Sequence, residues 1–167
     1  MKPKWWEKSK KYLSKKDKVM QRLIKSYKGN LTSRNNFFYS LTRSIISQQI
    51  SVSAADSVFS RFEKKCKGKI NPKSVSKLLI SDLRKCGLSR MKAIGIKSLA
   101  EKILNKSFQP KLIKNMTDEE AIVYLSSLRQ IGRWSSEMVL IFFYNRPNIW
   151  PIQDIGLLRA ISNNYKK

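Results

Sequence analysis

The chain contains no histidine, 35 Lys and Arg, and 11 Asp and Glu. Imidazole chemistry is therefore excluded, and any proton or charge chemistry must rest on carboxylates. One carboxylate stands out by position. Asp154, in the stretch WPIQDIGLLRAI, directly precedes Ile155, Leu157, Leu158 and Ile161, which recur at helical spacing. On spacing alone such an aspartate reads as an N-cap, its oxygen accepting from the free amides of the first turn. Upstream, LRQIGRWSSEM holds Gly132, a residue free to take positive φ where a chain reverses, and Trp134, an indole beside a polar turn. That indole suits core packing as well as a site. Cys66 and Cys86 show no CxxC or Cys/His spacing, which argues against zinc and iron–sulfur sites. They read as buried thiols of a reducing cytoplasm.

The elements that must position these residues are helices. Thr117 with Glu120 forms a capping box, followed by an apolar stripe of Ala121, Ile122, Leu125 and Leu128, and this helix should stop near Gln130. Gly132 then reverses the chain, and Trp134, Met138, Ile141 and Phe142 carry a second helix to about Tyr144. Earlier, Phe38, Leu41, Ile45 and Gln48 share one helical face, and Ala55, Val58, Phe59, Phe62 and Cys66 share another. The polar SQQISVS joins them, with Ser51 or Ser53 as the cap. Asn71 before Pro72 opens a short helix, Ser81 starts another that Gly87 closes, and Ser89 caps a third. That third helix turns Met91, Ile94, Leu99 and Ile103 inward and Arg90, Lys92 and Lys97 outward. Two short helices fill residues 1–28, with a break between Ser14 and Asp17 and with Trp5 and Trp6 as packing residues.

No strand-length alternation appears, so the fold class is all-α. At 167 residues the chain is one domain, 1–167, or two lobes, 1–30 plus 110–167 and 31–109. A formal charge of +24 makes a polyanion the expected partner, with nucleic acid ahead of an anionic membrane surface. The basic N-terminus lacks an uninterrupted apolar run, so neither a signal peptide nor a membrane span is expected.

Four ordered stretches, SIISQQISVSAA, CGLSRMKAIGIKSLAEKI, LRQIGRWSSEMVLIF and WPIQDIGLLRAI, resemble the DNA-3-methyladenine glycosylase II branch of the helix-hairpin-helix DNA glycosylases. The resemblance covers about Asp17 to Ile161 and implies a monofunctional glycosylase for alkylated purines, acting in base excision repair. Its hairpin, within about 118–144, would set the backbone of Gln130 and Gly132, with Arg133 alongside, against a DNA phosphate. A structural monovalent cation could sit there, at Leu128 and Ile131; no other cofactor is implied. Asp154 matches the catalytic aspartate, which stabilises an oxocarbenium-like sugar. Trp134 occupies the position where strand-cleaving relatives carry a Schiff-base lysine, so water hydrolysis without backbone cleavage is implied. Trp134 and Met138 would line the base pocket, the indole facing a cationic purine. Gln49 would enter the duplex as a wedge, with Gln48 and Ile50 beside it, and Arg90 and Lys92 would meet phosphates.

Double-stranded DNA with alkylated bases is the implied partner, no membrane is involved, and a cytoplasmic monomer is expected, nucleoid-associated if bacterial. The sequence departs from the family at Gln130, where glycine is usual, and at the C-terminus, where SNNYKK follows Ile161 and the family's last helices would come. Those departures support an alternative: a non-catalytic helix-hairpin-helix DNA-binding protein.

Overall fold

The computed structural model describes residues 2–32 and 36–165 and holds helices, with no strand among the described residues. Side-chain caps fix most helix starts. Asp17 Oδ1 accepts from the Met20 amide at 2.9 Å and so divides the N-terminal region into α1 (Trp6–Lys16) and α2 (Lys18–Ser26). Asn36 caps α3 (Phe37–Ser47), Ser51 caps α4 (Val52–Lys65), and Asn71 with Ser74 opens α5 (Pro72–Ser76). In α6 (Ile80–Lys85) the start lies one residue before Ser81, because Asp82 Oδ2 reaches back to the Leu79 amide. Ser89 caps α7 (Arg90–Leu104). A 3-10 turn over Pro110–Asn115 leads to the Thr117–Glu120 capping box of α8 (Asp118–Ser126). The last two helices are α9 (Arg133–Phe142) and α10 (Ile155–Tyr165).

Three further boundaries differ from the sequence expectation. Helix α8 ends at Ser126 rather than near Gln130, because the amides of Leu128 and Ile131 bond three residues back, to Leu125 and Leu128, in successive tight turns. Helix α9 closes at Phe142, and α10 runs past Ile161 to Tyr165. Met91, expected inward, is exposed.

Helix α3 is the axis of the core. Leu41, Ile45 and Ile46 on it are buried, and it packs against α4, α7 and α9. Each such side chain contributes roughly 1.5–3 kcal/mol by leaving water. Ala93, Ile96, Leu99 and Ala100 of α7 and Leu125, Leu128, Ile131, Val139 and Leu140 of the α8–α9 pair complete one continuous cluster. Burial pushes the Cys66 thiol up to about 11, so it stays a protonated, apolar core group. By contrast, α1, α2 and α10 bury no residue fully. They are held by polar contacts far apart in sequence: Trp5 Nε1 donates to Asn145 O at 2.9 Å, Arg22 Nη2 to Asn164 Oδ1 at 3.0 Å, and the Tyr165 hydroxyl to Asp17 Oδ2 at 2.8 Å. Trp5 and Trp6 pack edge to face in this region. No helix among the described residues is long and apolar enough to cross a membrane.

Candidate active site

The hairpin joins α8 to α9, and its left-handed residue is Gln130, with φ of 69°, not Gly132, whose φ is −97°. The expectation that Gly132 supplies the reversal is thus corrected. A non-glycine residue in this region costs roughly 1–2 kcal/mol. Packing holds it there: the Gln130 side chain lies on Gly95 of α7, where an added Cβ would stand 2.8 Å from Gln130 Cγ and 3.3 Å from the Arg129 carbonyl oxygen. A glycine facing the turn from another helix therefore gives the hairpin its seat. Gly132 itself begins α9 with no side-chain cap, and nothing lies within 4 Å of its would-be Cβ. The first amides of α9 consequently point from an open helix start, where the helix dipole favours an anion.

The turn between α3 and α4 is braced against this hairpin. Gln48 Nε2 donates to Gln130 O at 2.8 Å and to Ser135 Oγ at 3.3 Å. Lys92 Nζ donates to Ile46 O at 2.9 Å and to Gln48 O at 2.7 Å. That ammonium, expected to face phosphates, is engaged with the carbonyls ending α3, and burial lowers its pKa. Between these anchors Gln49 (φ 57°) and Ile50 project, and both are exposed. Arg90 is exposed at the first turn of α7. Arg133 is not a free cation: it pairs with Glu119 at 2.5 Å and with the Glu137 carboxylate at 3.2 Å. Glu137 is only 4 % exposed, so Arg133 is what makes its burial tolerable.

Asp154 combines two tasks. Its Oδ1 accepts from the Leu157 amide at 2.7 Å and so caps α10, while Oδ2 accepts from Trp134 Nε1 at 2.9 Å. The Leu157 amide, then the indole N–H, hold this carboxyl below its ordinary pKa of 3.8 against a smaller opposing effect of burial. It is a fixed anion at neutral pH. Trp134, 38 % exposed, sits between two depressions. One is a cleft of about 230 Å³ between α3 and α9, lined by Ser40, Arg43, Ser47, Trp134, Met138 and Phe142 among others. The other, about 630 Å³, runs between the Gln48–Gln49 turn, Lys92 and the hairpin. Sequence reasoning singled out Trp134 and Met138 but missed Ser40, Arg43 and Gly95. A signal existed for two of them: Ser40, Arg43, Ser44 and Ser47 recur at helical spacing on an otherwise apolar α3.

Thus a hairpin with an open helix start, a projecting turn tied to it and an ionised aspartate held by an indole at a cleft lie on connected elements. Residues 42–166 match the family model described as HhH-GPD superfamily base excision DNA repair protein. The chain belongs to this superfamily. Among relatives of this HhH-GPD chain, DNA-3-methyladenine glycosylase 1 of Schizosaccharomyces pombe is 32% identical over 162 residues, covering 93% of the chain and 69% of that protein. The alkylbase DNA glycosidase-like protein mag2 of the same organism is 33% identical over 121 residues, 70% of the chain and 57% of that protein. The solved structure of S. pombe 3-methyladenine DNA glycosylase (Mag1) in complex with abasic DNA aligns with a TM-score of 0.82 at 29% identity, over 95% of the chain and 81% of that structure. The helix-hairpin-helix fold expected from the resemblance is the fold observed.

Proposed function

We propose that this HhH-GPD protein is a monofunctional DNA glycosylase that hydrolyses the N-glycosidic bond of alkylated purines in duplex DNA, in base excision repair. The observation that carries the reading is the ionised Asp154 carboxylate, fixed by the Trp134 indole that lines the α3–α9 cleft. The names of the S. pombe relatives and the abasic DNA bound to Mag1 point the same way.

In this reading the open start of α9 receives a backbone phosphate, and Arg90 adds a second contact. Gln49 enters the duplex from its exposed turn, offsetting part of the cost of unstacking, with Ile50 beside it. Gln48 and Lys92 hold that turn. The extruded purine lies in the cleft against Trp134 and Met138. As its bond to the sugar C1′ lengthens, the electron pair leaves with the base and positive charge grows on the sugar, facing Asp154. Water then adds at C1′ and gives up a proton, leaving an abasic site and the free base. Having an indole at residue 134, with no amine to offer, the chain forms no Schiff base and leaves the strand uncut. A monovalent cation at the hairpin carbonyls would stiffen the phosphate site. The Leu128 carbonyl already accepts the Ile131 amide and keeps one lone pair for such an ion, and no step requires it.

The rival, a non-catalytic DNA-binding protein, draws on one observation: Asp154 already serves α10 as its cap. Asp154→Asn separates the two, since asparagine keeps a capping oxygen but loses the charge. Release of methylated purines from alkylated duplex should fall by about 100- to 1000-fold with DNA binding retained. Undiminished release would remove Asp154 from the chemistry, and a wild type that binds duplex without releasing any base would establish the rival.

A further inference from the structure

Helices α9 and α10 begin together at the candidate site and carry α1 and α2 at their far ends. Trp134, the second residue of α9, bonds Asp154 directly ahead of α10, so the two helix starts meet. At the other end, Trp5 Nε1 donates to Asn145 O, just beyond α9, while Asp17 and Arg22 engage Tyr165 and Asn164 in the last turn of α10. Trp5 precedes α1 and Asp17 follows it, so α1 is anchored at both ends. With 10 residues in α9 and 11 in α10, α1 lies roughly 15 Å behind the site.

This distant unit is strongly cationic. Residues 1–28 hold 11 Lys and Arg against 2 Asp and Glu. Lys8, Lys11 and Lys15 recur at helical spacing on one exposed face of α1, with Tyr12 among them at 62 % exposure. None of the three lysines has an ion-pair partner among the described residues, because Glu7 is taken by Lys2 and Lys10, and Asp17 by the Met20 amide and Tyr165. Beside the stripe, a groove of about 540 Å³ between α1 and α2 is lined by Lys10, Lys11, Lys15, Ser14 and Gln21, all able to donate, and by the paired Glu7.

We propose that this face of α1 is a second DNA-binding surface, which takes a separate duplex while the starts of α9 and α10 hold the first. It rests on the reading above that a duplex docks at the open start of α9. The screening length is about 8 Å at physiological salt, so lysines a helix length behind the site add little to the hold on that first duplex. They remain available to other phosphates, and the three ammonium groups span about 10 Å along α1. An anionic bilayer fits less well: the large apolar groups that α1 exposes are Tyr12 and Leu13, too few to enter one. Held by two segments, the chain can pass from one to the other without entering solution.

The test loads the whole chain with one short abasic duplex and then adds a short unmodified duplex, with sedimentation reporting the composition. Wild-type protein should form complexes of one chain with two duplexes. Lys8→Gln/Lys11→Gln/Lys15→Gln should stop at one duplex, with its affinity for the abasic duplex within about twofold of wild type, since screening isolates the two surfaces. Glutamine matches lysine in helix propensity, so α1 should persist. Each lysine replaced singly should lower the salt slope of the second step by about 0.9. Should the triple variant fail to fold, Lys11→Glu alone must weaken the second step. The inference is overturned by a wild type that takes no second duplex, by a triple variant that takes it as well as wild type, or by one that loses the abasic duplex in equal measure. A second duplex that arrives only with a second chain overturns it too, as does tighter binding to anionic lipid vesicles than to the unmodified duplex. Wild-type protein that binds no abasic duplex would mean that the reading of the α9 start has failed, and the inference falls with it.

Discussion

The seat of the hairpin on α7 makes a sharp prediction at Gly95. A Cβ added there would lie 2.8 Å from Gln130 Cγ, 3.2 Å from Gln130 Cβ and 3.3 Å from the Arg129 carbonyl oxygen. The first two atoms are near the backbone, so the side chain cannot swing clear without moving the turn. Gly95→Ala in mid-helix gains about 1 kcal/mol of helix propensity. Overpacking of this kind costs about 1–3 kcal/mol, so the single variant should be neutral to about 2 kcal/mol less stable. Gln130→Gly removes the obstructing side chain and relieves a left-handed residue, at the expense of its packing. In that background only the Arg129 carbonyl contact remains, and Gly95→Ala should recover most of its propensity gain. The cycle should therefore show a coupling of about 1–3 kcal/mol between residues 95 and 130, measured by urea denaturation of the wild type, both single variants and the double variant. Affinity for a duplex with an abasic site should drop in Gly95→Ala and return in the double variant, because the open start of α9 moves with the turn. Additivity within about 0.5 kcal/mol would refute the seat.

Trp134→Phe removes one donor to the Asp154 carboxylate, so its pKa rises toward the ordinary 3.8. A base-release profile that depends on the ionised form should then lose its acid side at higher pH than in the wild type, as a pH–rate series would show. The same depressed pKa means that Asp154 contributes stability above its unfolded pKa and loses it as pH falls through the folded value; Asp154→Asn should flatten that part of an acid-denaturation curve. Lys92→Met takes a donor from two carbonyls at the end of α3 and should speed amide hydrogen exchange in residues 48–50. Arg133→Met leaves the buried Glu137 carboxylate without its partner, so the melting temperature should fall at neutral pH and recover in Arg133→Met/Glu137→Gln.

How much of this could be read beforehand depended on the distance between partners. The capping boxes at Thr117 and Asn71 and the single caps at Ser51 and Ser89 involve residues three apart, and each opens a helix where the sequence indicates. Apolar periodicity gave α3, α4 and, Met91 apart, the inner face of α7 for the same reason. Errors gathered where distant residues decide. Gly132 carries the residue type for a left-handed turn, but Gly95, on another helix, accommodates the side chain that puts Gln130 there instead. Lys92 reads as an outward phosphate ligand until the carbonyl of residue 46 is placed beside it. Arg133 reads as a cation for a phosphate, yet it is engaged twice, by Glu119 on the preceding helix and by Glu137 only four residues on, a local partner that the spacing already offered. Asp154 as a cap followed from spacing, whereas its second bond, to Trp134, required the loop between α9 and α10 to fold back.

The contacts between α2 and α10 also set an order of assembly. Arg22 meets Asn164 and Asp17 meets Tyr165 across more than 140 residues of chain. During synthesis α1 and α2 precede these partners by most of the described chain and meet them only when residues 164 and 165 have left the exit tunnel. The middle helices, from α3 to α7, bury their apolar faces on one another and can collapse while synthesis continues. Helices α1 and α2, made before the core, thus reach α10 only after the core has been made, and until then they form a lysine-rich arm beside it.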